Sequence, residues 1–126
     1  VDAAKAFQGA ALNCLTFKEK VDCHLKESKA YIVASDFDNA DKALRRALVE
    51  SEARDKRKVY DEVVNYYKEQ GDILKKEGKI GRASRIYEKL IKMKISDEEK
   101  EEIKEKLAEI YRKLGKVKEL GLLRGV

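Results

Sequence analysis

The chain has 126 residues, 43% hydrophobic and 42% charged, with a formal net charge of +5 and a pI of about 9.1. That is enough apolar material for one domain with a sizeable core or for a short repeat array, and the two-sign charge mixture excludes bulk disorder. With no proline and only 7 glycines, no interior point is forced out of a helix, and no apolar run approaches the length that spans a bilayer. An all-α, soluble chain without membrane insertion is therefore predicted.

The apolar residues recur at helical spacing along the whole sequence and predict six to seven helices. The first covers residues 2–13. Ala3, Phe7, Ala10 and Ala11 share one of its faces, and upstream sequence, another chain or self-association is needed to cover it. The chain opens on Val1 rather than Met, which points to a processed or excised piece. The second helix, 17–33, starts at a capping box in which Thr16 precedes Glu19 by three. The two cysteines, Cys14 and Cys23, have no company of zinc-ligand spacing, so reduced thiols and a cytoplasmic location are expected. His24 beside Cys23 is no nucleophile–base pair, because adjacent helical residues point about 100° apart. One histidine and two cysteines are also too few for a metal site, so neither metal nor cofactor is expected.

The third and fourth helices are predicted over 36–52 and 55–77. Nothing between Ser51 and Asp55 forbids one continuous helix from Asp36 to Glu77. The fifth, 81–94, follows Gly78 and Gly81, whose G-K-I-G spacing is not that of a phosphate-binding loop and follows no strand. It carries Arg82, Arg85, Lys89 and Lys92 at spacings of 3, 4 and 3, opposite Ala83, Tyr87 and Leu90. This basic stripe, with Arg54, Lys56, Arg57 and Lys58, is a candidate surface for phosphates, although no aromatic is interleaved for base stacking. Residues 1–63 hold 12 basic and 12 acidic side chains and residues 64–126 hold 17 and 12, so the whole positive excess is C-terminal. Lysine and glutamate richness with two glutamines and three asparagines is equally a thermophile surface signature. The sixth helix, 97–114, opens at a second capping box, Ser96 with Glu99, and pairs Glu102 with Lys106 and Glu109 with Lys113 at i+4. Its carboxylates read as a solvated face, and no buried acid pair of catalytic type is indicated, so no enzyme activity is expected. Gly115 separates it from the last helix, 116–123.

Self-similarity is the main organising signal. Ser28 precedes Ala40, Gly71 precedes Ala83 and Ala108 precedes Leu120, each by 12 residues. Three residues after the first member stand Tyr31, Leu74 and Tyr111, and seven residues after it stand Ser35, Gly78 and Gly115. Small side chains let two helices cross closely, an aromatic or leucine one turn on fills the gap to the next pair, and a small residue makes the turn between them. This requires a break near Ser51–Asp55.

At these positions the chain resembles the tetratricopeptide repeat (TPR) family, pattern W-x2-L-G-x2-Y…A-x3-F…P. The best copy is residues 67–90, with Tyr67 in the Trp place, Gly71 in the Gly place, Ala83 in the Ala place and Tyr87 in the Phe place. His24 and Lys104 replace the Trp elsewhere, Glu27 and Gln70 replace the Leu, the closing Pro is missing, and the copies stand 43 and 37 residues apart, as in long-helix relatives. The resemblance implies one domain over 1–126, a solenoid with the second helix of an incomplete repeat at 1–16 and repeats at 17–54, 55–96 and 97–126. It further implies a protein-binding scaffold whose first helices line a groove for a partner helix or peptide. Carried over, the groove residues are Asp22, Leu25, Lys29 and Ile32, then Asn65, Lys68, Asp72 and Lys75, then Glu102, Glu105, Glu109 and Arg112, with Leu25 and Ile32 as apolar contacts. The lysine and asparagine clamp that some members use on a partner's terminal carboxylate is not reproduced. A basic helical domain binding nucleic acid is the alternative reading.

Overall fold

A computed structural model describes residues 16–123. They form six α-helices: α1 Phe17–Val33, α2 Phe37–Glu50, α3 Lys56–Lys76, α4 Ile80–Ile91, α5 Asp97–Leu114 and α6 Val117–Leu123. A short 3-10 turn, Ala53–Asp55, precedes α3. There is no strand among the described residues. The predicted association face at Ala3, Phe7, Ala10 and Ala11 lies outside the described residues, as does Cys14. The chain divides into two compact units between Tyr66 and Tyr67, inside α3 and inside the second predicted repeat.

Local chemistry sets the ends of these helices. Both predicted capping boxes form: Thr16 Oγ1 accepts from the Glu19 amide at 3.2 Å and Ser96 Oγ from the Glu99 amide at 3.1 Å, and each glutamate accepts from the cap residue's own amide. The ends of α1, α3 and α5 share one design. The amides of Asp36, Lys79 and Lys116 donate to the carbonyls of Tyr31, Leu74 and Tyr111, each at 2.9 Å, and the amides of Ser35, Gly78 and Gly115 donate to Ile32, Lys75 and Arg112. Ser35, Gly78 and Gly115 all have left-handed backbone, φ 60°, 80° and 69°. This is the Schellman closure, made at the three positions that the spacing picked out for a small residue.

In the first unit the chain turns back after Ser35, and α1 packs on α2. Ser28 Oγ donates to the Ala40 carbonyl at 2.9 Å within the core. Ala40, Ala43 and Ala47, each no more than 1% exposed, let the helices approach. α2 ends at Glu50, and Ser51 and Glu52 are extended, ψ 145° and 151°. The Lys56 ammonium donates to the carbonyls of Leu48 and Ser51, and Ser51 Oγ donates to Ala47 at 2.7 Å. These side chains satisfy the carbonyls at the end of α2. The single rod from Asp36 to Glu77 that local propensity permits is therefore not formed.

In the second unit, the end of α3 meets α4 where Gly71 faces Tyr87. A Cβ on Gly71 would stand 2.8 Å from Tyr87 Cε1, so only glycine fits beneath that ring. Ala83, Tyr87 and Leu90 are fully buried, as their shared face predicts. α4 stops at Ile91, three residues short of the expected end, because the amides of Lys92 and Met93 tighten onto Lys89 and Leu90 and Met93 folds into the core. α5 and α6 complete the unit through Ile103, Leu107, Ile110, Tyr111 and Leu123.

Candidate interaction surface

The residues that the resemblance assigns to a groove lie on α1, α3 and α5, some in each unit. In the first unit Lys29 of α1 reaches Glu62 of α3 at 3.0 Å and lies 5.5 Å over the Tyr66 ring. Asp22 and Asn65 are exposed. Leu25 and Ile32 are a correction: at 5% and 0% exposure they belong to the core. The buried face of α1 is broad, with His24, Leu25, Glu27, Ser28, Tyr31 and Ile32 all on it, and Leu25 shows only an edge, at the floor of a depression beside Phe17. The exposed apolar side chain of α1 in this region is Phe17, 71% exposed, with half-buried Val21 behind it. Both line this depression of about 480 Å³ with Asp22, Glu50, Lys58 and Glu62. The sequence reading passed over Phe17 because it is the first residue of its helix and matches no repeat position.

In the second unit the polar groove positions are joined across helices. Lys68 of α3 pairs with Glu99 of α5, Lys75 with Glu109 at 3.1 Å, and Asp72 with Lys106 at 3.1 Å. Tyr87 donates its hydroxyl to Asp72 from α4. Burial works to raise the Asp72 pKa, but the hydrogen bonds from Tyr87 and Lys106 prevail and hold it below the usual range. The bond from Lys68 holds Glu99 low, and bonds from Lys75 and Lys113 do the same for Glu109. Burial, then the bond to Asp72, pushes the Tyr87 hydroxyl well up. Lys68, Asp72, Lys75 and Glu109 are thus a ladder between α3 and α5, while Glu102, Glu105 and Arg112 are exposed beside it. Next to the ladder Ile73, 40% exposed, sits in an open depression of about 540 Å³ with Glu69, Lys76 and Lys113.

The acceptors of this ladder escaped the sequence reading. Glu62 of α3 takes Lys29 of α1, and Glu99 of α5 takes Lys68 of α3. The two glutamates stand 37 residues apart, and Glu19 stands 43 before Glu62, so the repeat spacing alone would have found them. A second omission is Glu27, which replaces the apolar residue of the family pattern and is fully buried. Arg46 of α2 pairs with it, and His24 Nδ1 stands 3.9 Å from its other oxygen. Burial lowers the His24 pKa, against the pull of Glu27.

The two basic segments differ in kind. In the run 54–58, Arg54 pairs with Glu52 at 2.9 Å, Arg57 with Asp61 at 3.1 Å, and Lys56 caps α2. On α4 Arg82 and Arg85 are exposed and Lys89 is half-buried, and Lys92, just past the helix end, is exposed. Among the described residues no group of three His, Cys, Asp or Glu is placed to hold a metal, and no helix is long and apolar enough to cross a membrane. Set beside protein-family models, curated proteins and solved structures, the chain matches none of them.

Proposed function

We propose that this chain is a TPR-like scaffold of stacked helix pairs that acts by holding a polypeptide partner against its first helices, without chemistry of its own. The observation that carries this reading is the identical closure at Ser35, Gly78 and Gly115. One turn, made three times at repeat spacing, gives each first helix the same exit. The cross-pairs Lys29–Glu62 and Lys68–Glu99 support it further, since each ties one first helix to the next. The partner segment, a helix or an extended peptide, rests on exposed polar groups such as Asp22, Glu69, Glu105 and Arg112. On the first unit its apolar side chains would meet Phe17 and Val21, and on the second unit Ile73.

A photo-crosslinking amino acid placed singly at Val21, at Ile73 and at Val49 tests this in cells. Val49 is 80% exposed on α2, a second helix. Protein adducts are expected from Val21 and Ile73 and not from Val49. Adducts equal at all three positions, or confined to Val49, would reject the groove.

A further inference from the structure

Between α1 and α2 one buried carboxylate has two nitrogen side chains within reach. Glu27 is fully buried and His24 is 5% exposed, both on the inner face of α1. Arg46 of α2 pairs with Glu27 Oε1, yet its side chain is 36% exposed. Three atoms of this cluster are shut off from solvent and have no hydrogen-bond partner among the described residues: Glu27 Oε2, His24 Nδ1 and Arg46 Nε. The first two stand 3.9 Å apart. That is too far for a hydrogen bond, but about 1 Å of side-chain motion would make one. Buried polar atoms left unpaired cost free energy, and an arrangement that pairs two of them lies close by.

Charge decides which arrangement holds. With His24 neutral, Glu27 and Arg46 cancel. A proton on His24 sets two cations beside one buried carboxylate, and an uncompensated charge in such a place is strongly unfavourable, so one cation has to leave. His24 has no path to water without parting the helices. Arg46 is already partly in solvent, and Glu50, half-buried one turn further along α2, offers it a carboxylate at the i+4 place. The charged groups that act on His24 are Glu27 and Lys20 of α1 with Arg46 and Glu50 of α2. Lys20 is half-buried on the same helix as His24 and adds to the repulsion.

We infer that His24, Glu27 and Arg46 form an acid-operated latch between α1 and α2: once protonated, His24 donates from Nδ1 to Glu27 Oε2, and Arg46 releases Glu27 and turns out to solvent beside Glu50. The proton comes from water, and no covalent bond other than the one to that proton forms or breaks. Burial disfavours the charged imidazole, so the exchange falls below histidine's ordinary 6.5. The latch lies wholly within the first unit, and the inference does not rest on the scaffold reading.

The test is an NMR titration of the full chain, labelled in histidine and arginine, from about pH 7.5 to about pH 4.5, the range in which a histidine changes charge. His24 is the one histidine of the sequence, so its ring signal identifies itself. The Arg46 Nε–H signal is expected to move with the same midpoint as His24 and to begin exchanging with water, while circular dichroism stays constant through the step. Arg46→Gln is expected to raise the proton affinity of His24 at least ~10-fold, because Glu27 then has no other cation. Arg45→Gln, the same loss of charge at the exposed neighbour, is expected to leave it unchanged. The titration of the parent protein needs neither variant to fold. An Arg46 signal that stays fixed while His24 titrates would overturn the latch. Equal shifts in the two variants would reduce the effect to net charge and overturn it as well. So would a His24 that takes up its proton only as the helical signal is lost, since the proton would then follow unfolding.

Discussion

Glu27 is a fully buried carboxylate between α1 and α2 with one oxygen taken by Arg46 and the other close to His24. Desolvating it is costly, and Arg46, whose side chain is 36% exposed, offsets that only while it stays in place. Arg46→Ala is therefore expected to destabilise the fold by about 2 kcal/mol, below the usual range for a fully buried pair because Arg46 is partly solvated. Glu27→Leu in the Arg46→Ala background should recover most of that loss, because an apolar side chain needs no counter-charge. Urea denaturation of the two variants checks this, and an Arg46→Ala midpoint unchanged from the parent would show the pair to be idle. A sequence pattern that expects leucine at this place gives no warning of it. The partner of Glu27 is 19 residues away on another helix, and only the packing reveals the meeting.

Helices and turns were far more legible than pairings. The capping boxes at Thr16 and Ser96 and the closures at Ser35, Gly78 and Gly115 depend on residues within a few positions of one another, so spacing exposes them. The end of α2 depends on Lys56 reaching back eight residues to Leu48, and no local propensity encodes that. Likewise the groove lysines could be named from their register, but Lys68–Glu99 and Lys75–Glu109 join residues 31 and 34 apart. Leu25 and Ile32 were misplaced because the buried face of α1, from Glu27 round to Leu25, is wider than the narrow stripe the repeat register assumes. Two substitutions probe the element scale. Ser35 holds a left-handed backbone that costs a non-glycine residue roughly 1–2 kcal/mol. Ser35→Gly is expected to stabilise the protein by about 0.5–1 kcal/mol after glycine's own entropy is deducted. Gly71→Ala should destabilise by about 1–2 kcal/mol despite alanine's better helix propensity, because the added methyl strikes the buried Tyr87 ring. Thermal melts would read both, and a lower melting temperature for Ser35→Gly would contradict the shared closure.

For the molecule as a whole, acid should act in two stages. His24 is buried with its pKa held below histidine's ordinary 6.5, by desolvation first, with Glu27, Arg46, Glu50 and Lys20 around it. The unfolded chain therefore binds a proton that the folded chain refuses, and stability declines as pH falls through and below 6.5. Asp72, Glu99 and Glu109 have lowered values. Their contribution is present above the unfolded carboxylate values of 3.8 and 4.5 and disappears at lower pH. The urea midpoint is expected to drop first between pH 7 and 5 and again below pH 4. His24→Gln should erase the first decline and leave the second. A first decline of full size in that variant would assign it to other groups.

The joint between α2 and α3 has a practical corollary. From Glu52 to Lys58 every side chain faces solvent, and the backbone on the α2 side is already extended rather than helical. A protease specific for arginine has an easy target in Arg54, and an engineer has a place to splice in a tag or a fluorophore-bearing loop. Foreign residues inserted after Glu52 would part Lys56 from the carbonyls of Leu48 and Ser51 and fray the last turn of α2, while both capping boxes and all three left-handed closures stay untouched.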